Sequence, residues 1–316
     1  MRVRAFDPQD EPAWDQLVAG SLCGTLLHTR RFLSYHRQRF HDLSLCVYDD
    51  SDLVAVFPAA ADPTEAGCVT SHPGATYGGI VHDGRLRGAL MIEAVQGVCR
   101  YYKDLGLSRI RYRAIPRIYQ RAPVDDDLYA LFRAGAHRYR CDLSAVVDLG
   151  NRLGPSRRRR RCLRTALARG VLVREDPTRL GEFWTLLEEN LLRRHQVRPV
   201  HTLEEIQLLL SRFPGQIRLI IALTAEQIIG GVVLFETPTA LHSQYICASE
   251  LGHSAHALDA VLEHCIATGT NASLRWFSMG TSNECDGTVL NDTLYRFKTE
   301  FGAGGVVHEF YQIDLR

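Results

Sequence analysis

Hydrophobic and polar positions along this chain switch between a helical and an alternating period, and the switches mark the elements. Residues 11–19 and 30–40 have helical spacing, the first preceded by Asp10 as a cap. Strand-like runs follow at 43–48, 53–58, 67–70 and 76–81, the first two separated by the turn signal Asp49-Asp50-Ser51-Asp52. Residues 85–105 then read as a helix stopped by Gly106, before a strand at 109–113, a helix at 126–134 and a strand at 139–148. Turn chemistry returns in Gly150-Asn151-Arg152-Leu153-Gly154-Pro155-Ser156, where Ser156 is placed to cap the next helix. Helices are predicted over 156–169, 178–195 and 202–212, the last opening on the capping box Thr202-Leu203-Glu204-Glu205.

The remainder is the most legible stretch. Three strands at 217–223, 228–236 and 241–248 form a meander, followed by a helix at 254–267 and a strand at 275–279. A helix at 290–301 leads into a closing strand at 306–315. A meander running into β-α-β-α-β predicts a mixed, mostly antiparallel sheet flanked by helices. The first half repeats this order of elements without residue identity, so the expected class is α/β (α+β) with two similar domains, 1–150 and 151–316.

Composition changes little in this picture. Of 316 residues, 46% are hydrophobic and 23% charged, and 37 basic residues against 36 acidic ones leave no whole-chain field for nucleic acid or membrane. Nine cysteines are scattered with no C-x-x-C pair, which argues against a disulfide framework or a zinc ribbon, and no metal is expected. The amino terminus has no signal-like apolar segment and no run is long enough for membrane insertion, so a cytoplasmic setting is expected. There is no G-x-S-x-G elbow, Walker loop or H-E-x-x-H, and Gly302-Ala303-Gly304-Gly305 follows a helix, the reverse of a dinucleotide fingerprint.

Three segments carry a family resemblance: Ile228-Ile-Gly230-Gly231-Val232-Val233-Leu-Phe235, His242-Ser-Gln-Tyr245 running into Cys247-Ala-Ser249, and Asn291-x-x-Leu-Tyr-Arg-Phe297-Lys298-Thr-Glu-Phe301-Gly302. With the element order, they resemble the GNAT fold, and two such units in tandem resemble the FemABX-type transferases and their acyl-CoA-using relatives. The Gly-rich block Ser71-His72-Pro-Gly-Ala-Thr-Tyr77-Gly-Gly79 is similar to a loop of that group. The resemblance implies two tandem GNAT-like domains and N-acyl transfer from acyl-CoA to the amine of a small acceptor, a nucleotide-linked amino sugar being favoured. The usual Q/R-x-x-G-x-G/A phosphate loop is altered to Ser249-Glu250-Leu251-Gly252-His253-Ser254. That departure leaves room for an aminoacyl-tRNA donor, as in some Fem-type enzymes, or for a non-catalytic binding module.

By the same resemblance, Lys298 stabilises charge at the reacting carbonyl, and Tyr245 or His242 orients the amine or takes its proton. A surface lysine and a packed tyrosine are the structural alternatives. Donor contacts are expected from Gly230, Gly231, Val232 and Val233 and from Ser249, Gly252 and Ser254. Arg157–Arg161, with Arg152, Arg164 and Arg169, form an acid-free cationic run suited to phosphates or to a solvated face. Acceptor contacts are expected from His72, Tyr77, Arg157, Arg161 and Phe297.

Overall fold

The structure is a computed structural model describing residues 1–315, the His195 side chain excepted. The chain divides into two compact units: Met1–Asp142 with Glu284–Val289 and the stretch from Val307, and Leu143–Asn283 with Leu290–Val306. In chain order the elements are β1 (Arg2–Ala5), α1 (Glu11–Gly20), α2 (Arg30–Leu33), β2 (Leu45–Asp49), β3 (Asp52–Phe57), β4 (Ala60–Ala61), β5 (Cys68–Thr70) and β6 (Val81–His82). Next come α3 (Ala89–Asp104), β7 (Arg109–Arg113), α4 (Asp126–Arg133), β8 (His137–Asp148), α5 (Arg157–Ala168), β9 (Leu172–Glu175), α6 (Leu180–His195) and α7 (Leu203–Arg212). The series closes with β10 (Ile217–Thr224), β11 (Gln227–Glu236), β12 (Ala240–Ala248), α8 (Glu250–Ser254), α9 (Ala257–Asn271), β13 (Trp276–Thr281), the short β14 (Asn283–Glu284) and β15 (Val289–Leu290), α10 (Asp292–Thr299) and β16 (Gly304–Asp314).

In the first unit, β1-β2-β3-β6 form an antiparallel sheet and β4-β5-β7-β16 a mixed one. Met91, Val95, Val98 and Tyr102 recur at helical spacing on α3 and bury that face against Leu45, Val47, Phe57 and Ile110. In the second unit the order is β8-β13-β12-β11-β10-β9, with β12 and β13 parallel and the other pairs antiparallel. The central strand β11 is buried from Ile228 to Phe235, which is why its sequence is nearly unbroken apolar. Val261, Leu262, Cys265 and Ile266 of α9 pack with Ile220, Val232 and Leu234. Gly231 lies beside Phe183 of α6, where a Cβ would come within 3.1 Å of the ring.

Two of the three capping expectations appear: Ser156 Oγ accepts from Arg159 N at 3.1 Å, and Thr202 and Glu205 cap each other reciprocally. Asp10 precedes α1 but its carboxylate is turned to Arg4 and Asp7 N, so it makes no capping hydrogen bond. Other expectations change. Residues 30–40 form one α-turn and the 3-10 turn Ser34–His36 rather than a continuous helix. The glycine-rich block stays irregular, leaving only Val81–His82 as strand. The edge strands β1 and β9 were too short and too polar to stand out. The units part inside β8 at Asp142/Leu143, not at the 150–156 turn. That turn looked like a linker because of its glycines and proline, yet it is fastened within the second unit. Arg152 donates to Phe301 O at 3.0 Å and pairs with Glu263, and Ser156 N donates to Glu300 O. Among the described residues no helix is long and apolar enough to cross a membrane.

Candidate active site

Parallel pairing between β12 and β13 lasts three positions, ending at His242 opposite Ser278. Both strands continue past that rung, β12 to Ala248 and β13 to Thr281, and a cavity of about 740 Å³ opens there. Ser243, Ile246, Cys247 and Ala248 of β12 and Met279 of β13 line it. Its walls come from α5, the end of α6, the α8–α9 junction and α10. All of these belong to the second unit.

Lys298 and Phe297 of α10 face this cavity. Lys298 is the buried residue of an otherwise half-exposed helix, at 7% exposure. Its ammonium donates to Gly280 O at 3.0 Å and Thr281 O at 2.7 Å, at the end of β13. Burial lowers its pKa from 10.5 to about 8, so the cation persists at neutral pH but titrates within reach. Among the described residues it has no carboxylate partner, so its burial is costly, and it is not the surface lysine of the structural alternative. The helix is positioned from its far end: Gly302 has φ +88, and a Cβ there would fall 1.9 Å from Leu153 O. Glycine thus lets the chain turn tightly against the 150–156 segment.

Tyr245 and His242 do not line the cavity. Opposite β11, Val233 pairs with Tyr245 but Leu234 pairs with Ser243, leaving Gln244 as an inserted residue. The bulge breaks the alternation expected along this strand. Ser243 lines the cavity, whereas Tyr245 meets Trp184 edge-on at 5.1 Å and the His201 ring nitrogen at 2.5 Å. Burial raises the Tyr245 pKa to about 12. His242 Nδ1 lies 3.1 Å from Ser278 Oγ, at the last rung before the opening.

Donor contacts expected on β11 are also displaced. Gly230, Gly231, Val232 and Val233 pair with β10 on one edge and β12 on the other, so the strand lining the cavity is β12. Gly252 lines it and also lets α8 approach β11: a Cβ there would fall 1.9 Å from Ile229 O. Ser249 caps α8, accepting from Gly252 N at 3.0 Å, while Ser254 Oγ donates to Leu251 O. Neither serine lines the cavity. Glu250 and Asp259 occupy the first turns of α8 and α9, each paired with an arginine, Arg193 and Arg159 respectively.

The cationic run divides by role. Arg159 is buried, paired with Asp259 at 2.9 Å and Glu300 at 3.0 Å, its guanidinium 4.8 Å from the Phe297 ring centroid. Arg158 and Arg161 line the cavity together with Arg194, and none of the three has an ion-pair partner among the described residues. Arg157 is exposed and lies outside the lining. His253, also in the wall, is held below its ordinary pKa by burial and by Arg194 and Arg193. Asn190 ties α6 to β12 through Ala248 O at 2.6 Å. Asn190, His256, Asp259 and Cys162 were not foreseen; Asn190 and Arg194 share a helix face at i,i+4, the one local signal available.

His72 and Tyr77 belong to the first unit, where both are buried. His72 stacks on His36 at 5.0 Å, its pKa lowered by burial to about 4, and Tyr77 stacks on Tyr119 at 4.5 Å with its hydroxyl on Thr25. Their surroundings are those of packed aromatic residues.

Residues 155–298 match the family described as the acetyltransferase (GNAT) domain. No curated protein matches the chain. Similar solved structures include FemX, at 12% identity and TM-score 0.72 over 99% of this chain and 97% of that one. L-PGS from Bacillus licheniformis is similar at 12% identity and TM-score 0.65, over 96% and 91% of the two chains. A tandem GNAT protein from the clavulanic acid biosynthesis pathway matches at 12% identity and TM-score 0.54, over 100% and 98%. At such identities the likeness to these structures is one of fold. The second unit therefore carries a GNAT acyltransferase domain. The chain as a whole shares the tandem fold of FemX and of the tandem GNAT protein.

Proposed function

We propose that the cavity of the second unit joins an acyl group to an amine, with Lys298 supporting the charge that develops on the carbonyl oxygen. The observation carrying this reading is the buried ammonium at the end of β13, beside the opening between β12 and β13. The neutral amine attacks the carbonyl carbon of an activated ester or thioester, and the oxyanion collapses to expel the alcohol or thiol. The proton lost by the amine leaves with that group. A fixed cation at a developing oxyanion acts without reorganisation during the reaction.

For the donor we favour an aminoacyl-tRNA end over acyl-CoA. The phosphate-loop position carries Glu250, and the Ser249 hydroxyl already uses one helix N–H. Arg158, Arg161 and Arg194 instead offer unpaired guanidinium groups suited to phosphodiester oxygens. The family match, described as an acetyltransferase domain, keeps acyl-CoA as the second reading. No residue of the cavity speaks for an amino sugar, so the acceptor is proposed only as a small amine. Thermal melts with tRNA and with acetyl-CoA separate the donors, because a bound ligand stabilises by mass action. Stabilisation by acetyl-CoA alone would overturn the donor choice. If neither ligand binds and Lys298→Ala changes no transfer reaction, the catalytic reading fails and a binding module remains.

A further inference from the structure

Cys162, His256 and Asp259 meet on the cavity wall, and acyl transfer as proposed makes no use of them. The Cys162 sulfur, one ring nitrogen of His256 and one carboxylate oxygen of Asp259 all lie within 4.8 Å of one another. They come from separate places: α5, the junction between α8 and α9, and the first turn of α9. No hydrogen bond joins any two of these side chains among the described residues, so their capacity for a shared ligand is unspent. We propose that this cluster is a zinc site with three protein ligands and a fourth position open to the cavity.

Thiolate, imidazole and carboxylate are all regular zinc donors, and three protein ligands with an open position is the arrangement of an accessible site. Around tetrahedral zinc the donor atoms stand roughly 3.3–3.7 Å apart, given the usual bond lengths. The cluster therefore needs to contract by about 1 Å, within the reach of side-chain rotation. A nucleophile–base relay is the competing chemistry for these residue types. A relay strings the imidazole between thiol and carboxylate, using one ring nitrogen for each and holding the two partners apart. Here one ring nitrogen is near both, and the thiol and carboxylate are near each other. Convergence on a single point suits an ion.

Charge balance allows it. Arg159 holds Asp259 Oδ1 at 2.9 Å and also pairs with Glu300, so the second oxygen of Asp259 stays available. With Cys162 as thiolate, its charge and those of Asp259, Glu300 and Arg159 leave two net negative charges, opposite to the ion. Arg158 and Arg161 line the same cavity and oppose the ion, which sets the affinity below that of a closed four-ligand site.

The test is titration of tag-free protein with Co²⁺, followed by displacement with Zn²⁺. One equivalent of Co²⁺ should give a thiolate-to-metal charge-transfer band that Zn²⁺ removes. Cys162→Ser should abolish the band and weaken Zn²⁺ binding about 100-fold or more, beyond the 10–100-fold typical of losing a supporting residue. His256→Asn serves as the second variant, because His256 has φ 59 and asparagine tolerates that backbone; it should weaken binding at least about tenfold. Cys285→Ser removes the exposed thiol and should change nothing. Absence of the band, its survival in Cys162→Ser, or its loss in Cys285→Ser would overturn the site. Transfer activity enters none of these readouts, so the result is independent of the donor reading.

Discussion

Replacing Lys298 with methionine separates the cost of burying a cation from its use in catalysis. Holding an ammonium at a pKa of about 8 instead of 10.5 corresponds to about 3 kcal/mol against folding. Methionine fills similar volume and removes that cost, but it leaves Gly280 O and Thr281 O without their donor, at about 1–3 kcal/mol each. The two effects nearly offset, so the melting temperature at neutral pH should move little. Catalysis should behave differently: loss of one fixed group at an oxyanion costs about 2.7–4 kcal/mol, or roughly 10²–10³ in kcat. The sign of the pH effect follows from the lowered pKa. Between about 8 and 10.5 the unfolded chain holds this proton and the folded chain has released it, so wild-type stability rises through that window relative to Lys298→Met. Wild-type transfer should fall as the ammonium is lost above about pH 8, and that limb should be absent from the residual activity of the variant. The assay is transfer of a labelled acyl group to an amine from about pH 6 to 10, with melts of both proteins at each pH. A variant within about threefold of wild type at every pH would refute the catalytic reasoning, and a melt that parallels wild type above about pH 8 would refute the burial cost.

Three further perturbations test the framework. Gly302→Ala must combine φ +88 with a Cβ 1.9 Å from Leu153 O, so a loss of about 3 kcal/mol or more is expected in urea unfolding; an unchanged midpoint would contradict the tight turn. Arg159→Ala leaves buried Asp259 and half-buried Glu300 without their shared cation and should cost about 3–5 kcal/mol, whereas Arg158→Ala should leave the melt in place. In the first unit, burial raises Asp127 to a pKa of about 6 while Tyr112 donates to it at 2.6 Å. The folded form holds the proton more tightly, so stability from this group falls as pH rises from about 4 through 6; Asp127→Asn should abolish that slope and raise stability at neutral pH by up to about 3 kcal/mol. A slope retained in Asp127→Asn would assign it to another group.

The second unit was readable because its strands and helices announce themselves locally. β10 to β12 carry long apolar runs broken by polar turns, and Thr202 with Glu205 marks a helix start through a pattern four residues long. Lys298 stood out by a motif, and its burial on two β13 carbonyls adds a reason that no periodicity supplies. The errors arose where meaning depends on distant partners. The 150–156 segment has the composition of a linker and becomes a fixed turn through Phe301, Glu263 and Glu300. One inserted residue at Gln244 separates Tyr245 from Ser243, and a bulge between apolar neighbours leaves no compositional mark. The arginine run is the sharpest case: five identical side chains in sequence take different roles because α5 turns Arg159 onto Asp259 and Arg158 and Arg161 toward the cavity. Arg194, His256 and Asp259 join them from other helices, so neither the cationic wall nor the Cys162 cluster exists as a sequence pattern. A site gathered from α5, α6, α9 and α10 is fixed by helix packing on the sheet, and mutations that shift those helices should disturb it as surely as mutations of the lining itself.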